Sequence, residues 1–330
     1  MILYLGRRFY SNVLLGALGV SRSQVAERAP VWACRLMLLS ATGMVLMLVW
    51  AAGLHWLLAI LFVMLTGLLF LIVTRINVET GLFFIQPTWH AVAILLGLFG
   101  IKALGPNMLI ILALLSVVMT IDPRVCLMPL VANALRFSER EGVAAPRLSW
   151  AMGATVLLAL VVGVFGTIYV QYNYGAGSLY EWGNIAAAYP FEILQHSLQG
   201  FWEDRGQSYG LRLAYSSPDV GFLKWAGAGA ALVLLCSTFR LRYSWWPIHP
   251  VLFLVWGTAP ACWLGPSFFI GWLLKTLISQ LGGSRTYQKS KPIFIGLVAG
   301  EFAAGILWTI VGLIYYLRTG TYGPMFRVHP

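Results

Sequence analysis

The run FIGLVAGEFAAGILW, residues 294–308, sets one carboxylate, Glu301, among residues that are otherwise apolar or glycine. An ionised carboxylate inside a bilayer costs roughly 3 kcal/mol or more unless it faces water or a partner. Such a residue is a functional candidate by default, suited to holding a proton or a substrate amine. It could also satisfy a backbone end freed by a neighbouring broken helix. Gly296 and Gly300 form a GxxxG pair before it and Gly305 follows, all small enough to let a second helix pack closely.

Four further side chains could share that chemistry. Glu79, in RINVETG, lies four residues after Arg75, the spacing of an ion pair on one helix face, and could instead reach a substrate. His90 and His249 could relay protons. They could equally be bundle residues held by hydrogen bonds, since no acid adjoins either in sequence. Lys102 and Lys275 sit in or beside apolar runs, where a long stem lets the ammonium snorkel to an interface.

Catalytic chemistry finds no foothold. There is no P-loop, no GxSxG and no HExxH, and Glu203-Asp204, the only adjacent acidic pair of its segment, reads as a solvated helix face. Cys34, Cys126, Cys236 and Cys262 are isolated from one another, with no CxxC and no histidine at metal-ligand spacing. The expectation is a protein that is not an enzyme, with no metal and no cofactor.

The elements that must position these residues are membrane helices. Hydrophobic residues are 59% of the 330 and charged residues 10%, with mean hydropathy +0.80. That balance leaves too little polar surface to coat a water-soluble globule. Several runs approach or exceed the ~20 apolar residues that cross a bilayer core as helix, and the ~10-residue alternating segments of a β-barrel are missing. The fold class is therefore all-α: a polytopic membrane bundle of about 8–9 spans. The net charge of +11 is scattered at the ends of apolar runs rather than gathered in a patch, which fits topology and excludes a nucleic-acid partner.

Four regions follow. Residues 1–30 read as a cytoplasmic or interfacial helix, because Arg7 and Arg8 interrupt any signal-peptide core. Residues 31–170 form a first membrane group, opening with spans at about Val31–Ala52 and Leu54–Thr74 joined near Gly53 and closed by Arg75; a short helix at Cys126–Phe137 and a span at about Trp150–Val170 complete it. Residues 171–221, rich in acids and aromatics, form an extracytoplasmic segment whose stripe Phe191, Leu194, Leu198, Phe201, Trp202 predicts a surface or capping helix. Residues 222–330 form a second group, with spans at about Phe222–Phe239 and Pro292–Leu317; in the latter Glu301 would lie roughly 13 Å from the helix start. Lys and Arg concentrate on the side of the N-terminus, which is thus the cytoplasmic one.

Two stretches, residues 75–110 and 240–270, match in outline. Each starts at arginine, passes proline, tryptophan and histidine, and restarts at Leu-Gly-Pro. Their punctuation, Pro87, Gly105 and Pro106 in the first and Pro247, Pro250, Gly265 and Pro266 in the second, predicts two broken helices in corresponding positions of a repeat. In secondary transporters such interruptions expose backbone dipoles at the substrate site.

The run FFIGWLLKTLISQLGGSRTYQKSKPIFIGLVAGEFAAGILW, residues 268–308, adds a specific order: tryptophan-x-x-lysine, a Gly-Gly turn, tyrosine, proline, then Gly-Glu. Together with RYSWWPIHP and RINVETG it resembles the C-terminal part of large bacterial membrane proteins distantly similar to oligopeptide transporters. The resemblance implies a transporter-like fold in the bacterial cytoplasmic membrane. Because those relatives carry an additional N-terminal set of spans, it also implies half of a split carrier for small peptides or similar solutes, with another polytopic chain as partner. The competing expectation is a non-transporting scaffold subunit of a larger membrane complex, using its glycine-rich faces for assembly.

Overall fold

A computed structural model describes residues 6–20, 28–82, 90–120, 126–175, 181–198 and 216–320. All regular structure among them is α-helix: α1 (Arg7–Ala17), α2 (Arg28–Trp50), α3 (Trp56–Thr80), α4 (Ala91–Phe99), α5 (Ile101–Leu104), α6 (Pro106–Thr120), α7 (Leu127–Glu141), α8 (Ala145–Tyr174), α9 (Glu181–Leu198), α10 (Val220–Arg242), α11 (Val251–Val255) and α12 (Ala259–Thr319). Five of these, α2, α3, α8, α10 and α12, are long and apolar enough to cross a membrane, and α6 is a shorter apolar helix. The chain is an all-α, membrane-embedded protein.

It divides into two compact units, Met1–Ala261 and Cys262–Pro330. In the first, α3 is the central helix. The α2–α3 turn closes where expected, with Gly53 at φ 67° and the Leu54 N–H donating to the Leu48 carbonyl at 3.1 Å. His55 then caps α3, its Nδ1 accepting from the Leu57 N–H. The helix continues past Arg75 to Thr80, because Glu79 pairs with Arg75 across one turn and only Gly81, at φ 73°, reverses the chain. Leu58, Phe62 and Leu69 of α3 pack with Ala91, Val92 and Leu95 of α4 and with Leu109, Leu112 and Ala113 of α6. In lipid this core is held by van der Waals contact rather than by expulsion of water, so small residues such as Ala91 and Ala113 at the seam let the helices approach.

Around that core, α1 lies on α2, where Arg35 donates from Nε and Nη2 to the Ala17 and Gly16 carbonyls that end α1. Helix α7, amphipathic and longer than its expected Cys126–Phe137, packs on α3 through Asn133, whose Nδ2 donates to Asn77 Oδ1 at 2.9 Å. Helix α9 packs along α6. The aromatic stripe does not mediate this: Phe191 is exposed, while Tyr189 and Pro190 turn inward, and Phe201 and Trp202 lie outside the described residues. A segment expected on the outer surface thus enters the bundle.

The two Leu-Gly-Pro sites differ. At Gly105-Pro106 the backbone takes φ 74°, which only glycine adopts without strain, and α6 starts at the proline. At Gly265-Pro266 the helix runs on: Pro266 lies inside α12, as does Pro292. The expected restart at residue 266 and the expected helix start at Pro292 are both overturned. In the second unit the interruption falls instead at Gly283, with φ 71° and ψ 178°, in the Gly-Gly pair. Pro87 lies outside the described residues.

Candidate functional site

The first unit gathers polar side chains in three places, two of them at opposite ends of the short helix α4. At its N-terminal end His90 is 5% exposed, against Thr120 (5%) and Ser116 (0%) of α6. The Thr120 hydroxyl donates its one proton to the Ser116 carbonyl, so the 3.0 Å contact between Thr120 Oγ1 and His90 Nδ1 requires the ring to donate. The imidazole is thereby held with hydrogen on Nδ1, and Nε2 is left as the proton acceptor. That nitrogen has no partner among the described residues. The Ser116 hydroxyl meanwhile accepts the Val92 N–H, one of the donors that the start of α4 leaves unpaired. Tyr189 of α9 stands edge-on to the His90 ring at 5.6 Å.

At the other end α4 stops at Gly100, φ 80°, and the carbonyls it leaves free are taken by the chain entering α10. The Ser217 N–H donates to the Phe99 carbonyl at 3.1 Å and the Asp219 N–H to the Gly97 carbonyl at 3.0 Å. Asp219 in turn caps α10, its Oδ1 accepting from the Gly221 and Phe222 N–H groups. Both glycines are required sterically. A Cβ on Gly97 would overlap the Phe222 ring, and one on Gly100 would come within 2.5 Å of the Ser217 carbonyl oxygen. A half-open pocket of about 420 Å³ results, lined by residues that include Lys102, Ser217 and Asp219 over an apolar floor of Ala93, Leu96 and Phe222. That volume lies within the ~300–1,000 Å³ of small-molecule sites.

The third cluster lies where α3 meets α11. Arg75 Nε reaches Glu79 Oε1 at 2.7 Å, and Glu79 Oε2 lies 4.0 Å from His249 Nε2. His249 Nδ1 accepts the Val251 N–H at 3.2 Å, which places the ring hydrogen of the neutral form on Nε2, facing the carboxylate across a gap that a water could bridge. Sequence spacing anticipated the Arg75–Glu79 pair but not His249, which arrives from a distant part of the chain. The two histidines of the compared stretches also carry opposite tautomers and separate surroundings, so they are not equivalent in structure.

Glu301 stands in the second unit on α12, roughly 27 Å along the helix beyond Gly283 at the α-helical rise. It is exposed and has no hydrogen-bond or ion-pair partner among the described residues. Gly296 and Gly300 face open space, with nothing within 4 Å of an added Cβ. Gly305 lends its carbonyl to the Thr309 hydroxyl. Among the described residues no three His, Cys, Asp or Glu side chains converge as metal ligands. Cys126 is buried ahead of α7, which raises its thiol pKa and makes it a poor nucleophile.

A family model described as "Family of unknown function (DUF6785)" matches residues 1–324. The chain belongs to that family. No curated protein and no solved structure matches it. For this DUF6785 member, function must therefore be argued from the arrangement of its own side chains. Sequence reasoning named His90 and the break at Gly105-Pro106 but missed Ser116, Thr120, Ser217 and Asp219. Only Asp219 left a legible signal, as an Asp immediately before a long apolar run, the pattern of a helix N-cap.

Proposed function

We propose that the chain is a transporter-like protein of the bacterial cytoplasmic membrane, half of a split oligopeptide-transporter-like carrier that moves small peptides or similar solutes. The observation that carries this reading is the interrupted helix α4–α5–α6. Its break at Gly100 borders a pocket of ligand size, and its start at His90 holds an imidazole with one nitrogen unpartnered. In the topology that goes with it, the N-terminus is cytoplasmic, α4–α5 and α6 each count as a crossing, and α12 crosses on either side of Gly283, which makes eight or nine spans. His90 would take the coupling proton on Nε2, and Glu301 a proton or the substrate's amine.

The test is uptake of a labelled dipeptide into proteoliposomes holding the chain together with every polytopic chain that co-purifies, driven by a pH gradient. His90→Asn keeps an N–H near the position of Nδ1 and so the bond to Thr120, but cannot carry the proton; uptake is expected to fall to background with the protein folded. Glu301→Gln is expected to abolish coupling too, and unchanged uptake would remove that residue from the mechanism. No uptake by the unsubstituted assembly sinks the carrier reading.

A second reading, a scaffold subunit, is favoured by a different observation. Along α8 almost every side chain is exposed, Trp150 and Phe165 among them, and the glycines of α12 face nothing in the chain itself. Lipid or a partner helix must cover those faces. This reading expects co-purification with several different chains and no solute flux.

A further inference from the structure

The pocket at the α4 break contains one cationic and one anionic side chain that do not neutralise each other. Lys102, on α5, has no ion-pair partner among the described residues, so its ammonium and the Asp219 carboxylate lie more than an ion-pair distance apart within one cavity wall. Asp219 commits Oδ1 to the two N–H groups of α10, and Oδ2 makes no hydrogen bond to a described residue. Both charges are pinned to rigid backbone. Asp219 is fixed by its N–H to the Gly97 carbonyl and by its capping role, and α5 is a single short turn bounded by Gly100 and Gly105, both at positive φ. Between them lies a surface of Ala93, Leu96, Ile101 and Phe222.

An ammonium and a carboxylate held apart at the edge of an apolar floor are complemented by a ligand with the reverse arrangement. A monoanion would leave Asp219 repelling it, a monocation would meet Lys102, and a neutral apolar molecule would desolvate both charges without replacing their hydration. We infer that this pocket binds a small zwitterion with an apolar body, its carboxylate on Lys102 and its ammonium on Asp219 Oδ2, as in an α-amino acid with an aliphatic side chain. Ser217, whose N–H is already bound to Phe99, offers its hydroxyl at the same wall. The inference deepens the carrier reading and rests on it for what becomes of the ligand, whereas binding is measured without flux.

The probe is tritiated L-leucine, bound at equilibrium to the purified full chain in nanodiscs. Two competitors each lack one charge: 4-methylpentanoate has no ammonium and 3-methylbutylamine no carboxylate. Saturable leucine binding is expected, with each competitor weaker than unlabelled leucine by about tenfold or more, the scale of one lost charge-assisted hydrogen bond. Lys102→Gln and Asp219→Asn should each weaken leucine by a similar factor. Asn caps a helix as well as Asp does, so the second variant leaves α10 intact. Lys102→Gln should equalise leucine and 3-methylbutylamine, and Asp219→Asn should equalise leucine and 4-methylpentanoate, a crossed pattern that general unfolding does not produce. The inference is overturned by absent saturable binding to monodisperse protein, by either competitor matching leucine on the unsubstituted chain, or by either variant binding leucine unchanged. Binding with the crossed pattern but without uptake would sink the carrier reading alone; uptake with unaltered binding in both variants would sink this assignment alone.

Discussion

Two glycines with nearly the same backbone angles separate two reasons for conserving chain flexibility at a break. Gly100 and Gly105 sit at φ 80° and φ 74°, but an added Cβ meets the Ser217 carbonyl oxygen at 2.5 Å in the first case and open space in the second. Gly105→Ala should therefore cost only the left-handed backbone penalty, about 1–2 kcal/mol. Gly100→Ala adds displacement of the segment that docks α10 onto α4, so its loss of thermal stability should be clearly larger, and leucine binding should fall with it. Equal loss in the two variants, measured by the unfolding midpoint in detergent, would mean that the contact of Ser217 with α4 does not hold the pocket. At this scale the sequence was informative about which residues were unusual and silent about their partners. Gly105, Pro106 and His90 stood out by type, but His90 meets Thr120 and Ser116 only because α6 folds back beside α4. Asp219 meets Gly97 only because α10 returns to the same end. Neither pairing has a local signature, since each joins residues far apart in the chain.

Among elements, the legible ones were those whose ends carry their own chemistry. The α2–α3 hairpin turns at a glycine in the left-handed region, α8 starts just before Pro146, and α10 starts after an Asp cap and ends at Arg240 and Arg242, favourable beside a helix C-terminus. The misread ones turned on proline. Pro266 and Pro292 each remove a backbone N–H, yet a helix lying in lipid tolerates that loss where water or a neighbour can serve the freed carbonyl, so proline alone does not mark a membrane-helix end. Glycine at positive φ does, as Gly81, Gly105 and Gly283 show. The same distinction ranks the ties between α3 and its neighbours. Asn77 holds the α3 terminus through three bonds: Nδ2 to the Leu82 carbonyl at 2.7 Å, Oδ1 from Asn133, and its own carbonyl from the Gly81 N–H. Asn77→Ala removes two of them and should destabilise the chain by about 1–2 kcal/mol. Glu79→Gln removes a partly exposed ion pair with Arg75 and should cost about 0.5 kcal/mol or less, diminishing in high salt. Chemical unfolding of the two variants side by side checks the order, and a reversed order would mean that the Arg75–Glu79–His249 cluster, rather than the Asn77 bonds, anchors α3.

For the whole molecule the question is what covers its outward faces, and the glycines of α12 give a direct way to ask. An added Cβ at Gly300 meets nothing within 4 Å, so a larger side chain there leaves the isolated chain's own packing untouched. Any loss of assembly in Gly300→Leu must then come from contact with something outside the chain. In a membrane, apolar bulk alone gives little reason for two helices to associate, because lipid tails are as apolar as leucine. Close backbone approach at small residues supplies the attraction, and a GxxxG pair supplies the approach. Gly300→Leu is accordingly expected to reduce the native mass of the gently extracted complex while the substituted chain remains folded and monodisperse, with Gly53→Ala, at a turn far from α12 in sequence, as the control for strain without loss of assembly. A mass unchanged in Gly300→Leu would leave α12 facing lipid, and the partner would have to be sought on α8. If the mass falls by a single polytopic chain, the split-carrier arrangement gains its missing half, and Glu301, one residue from the altered glycine, lies at a helix–helix contact where a carboxylate can be kept from the lipid. If several different chains are lost together, the same contact belongs to a scaffold, and Glu301 serves packing rather than transport.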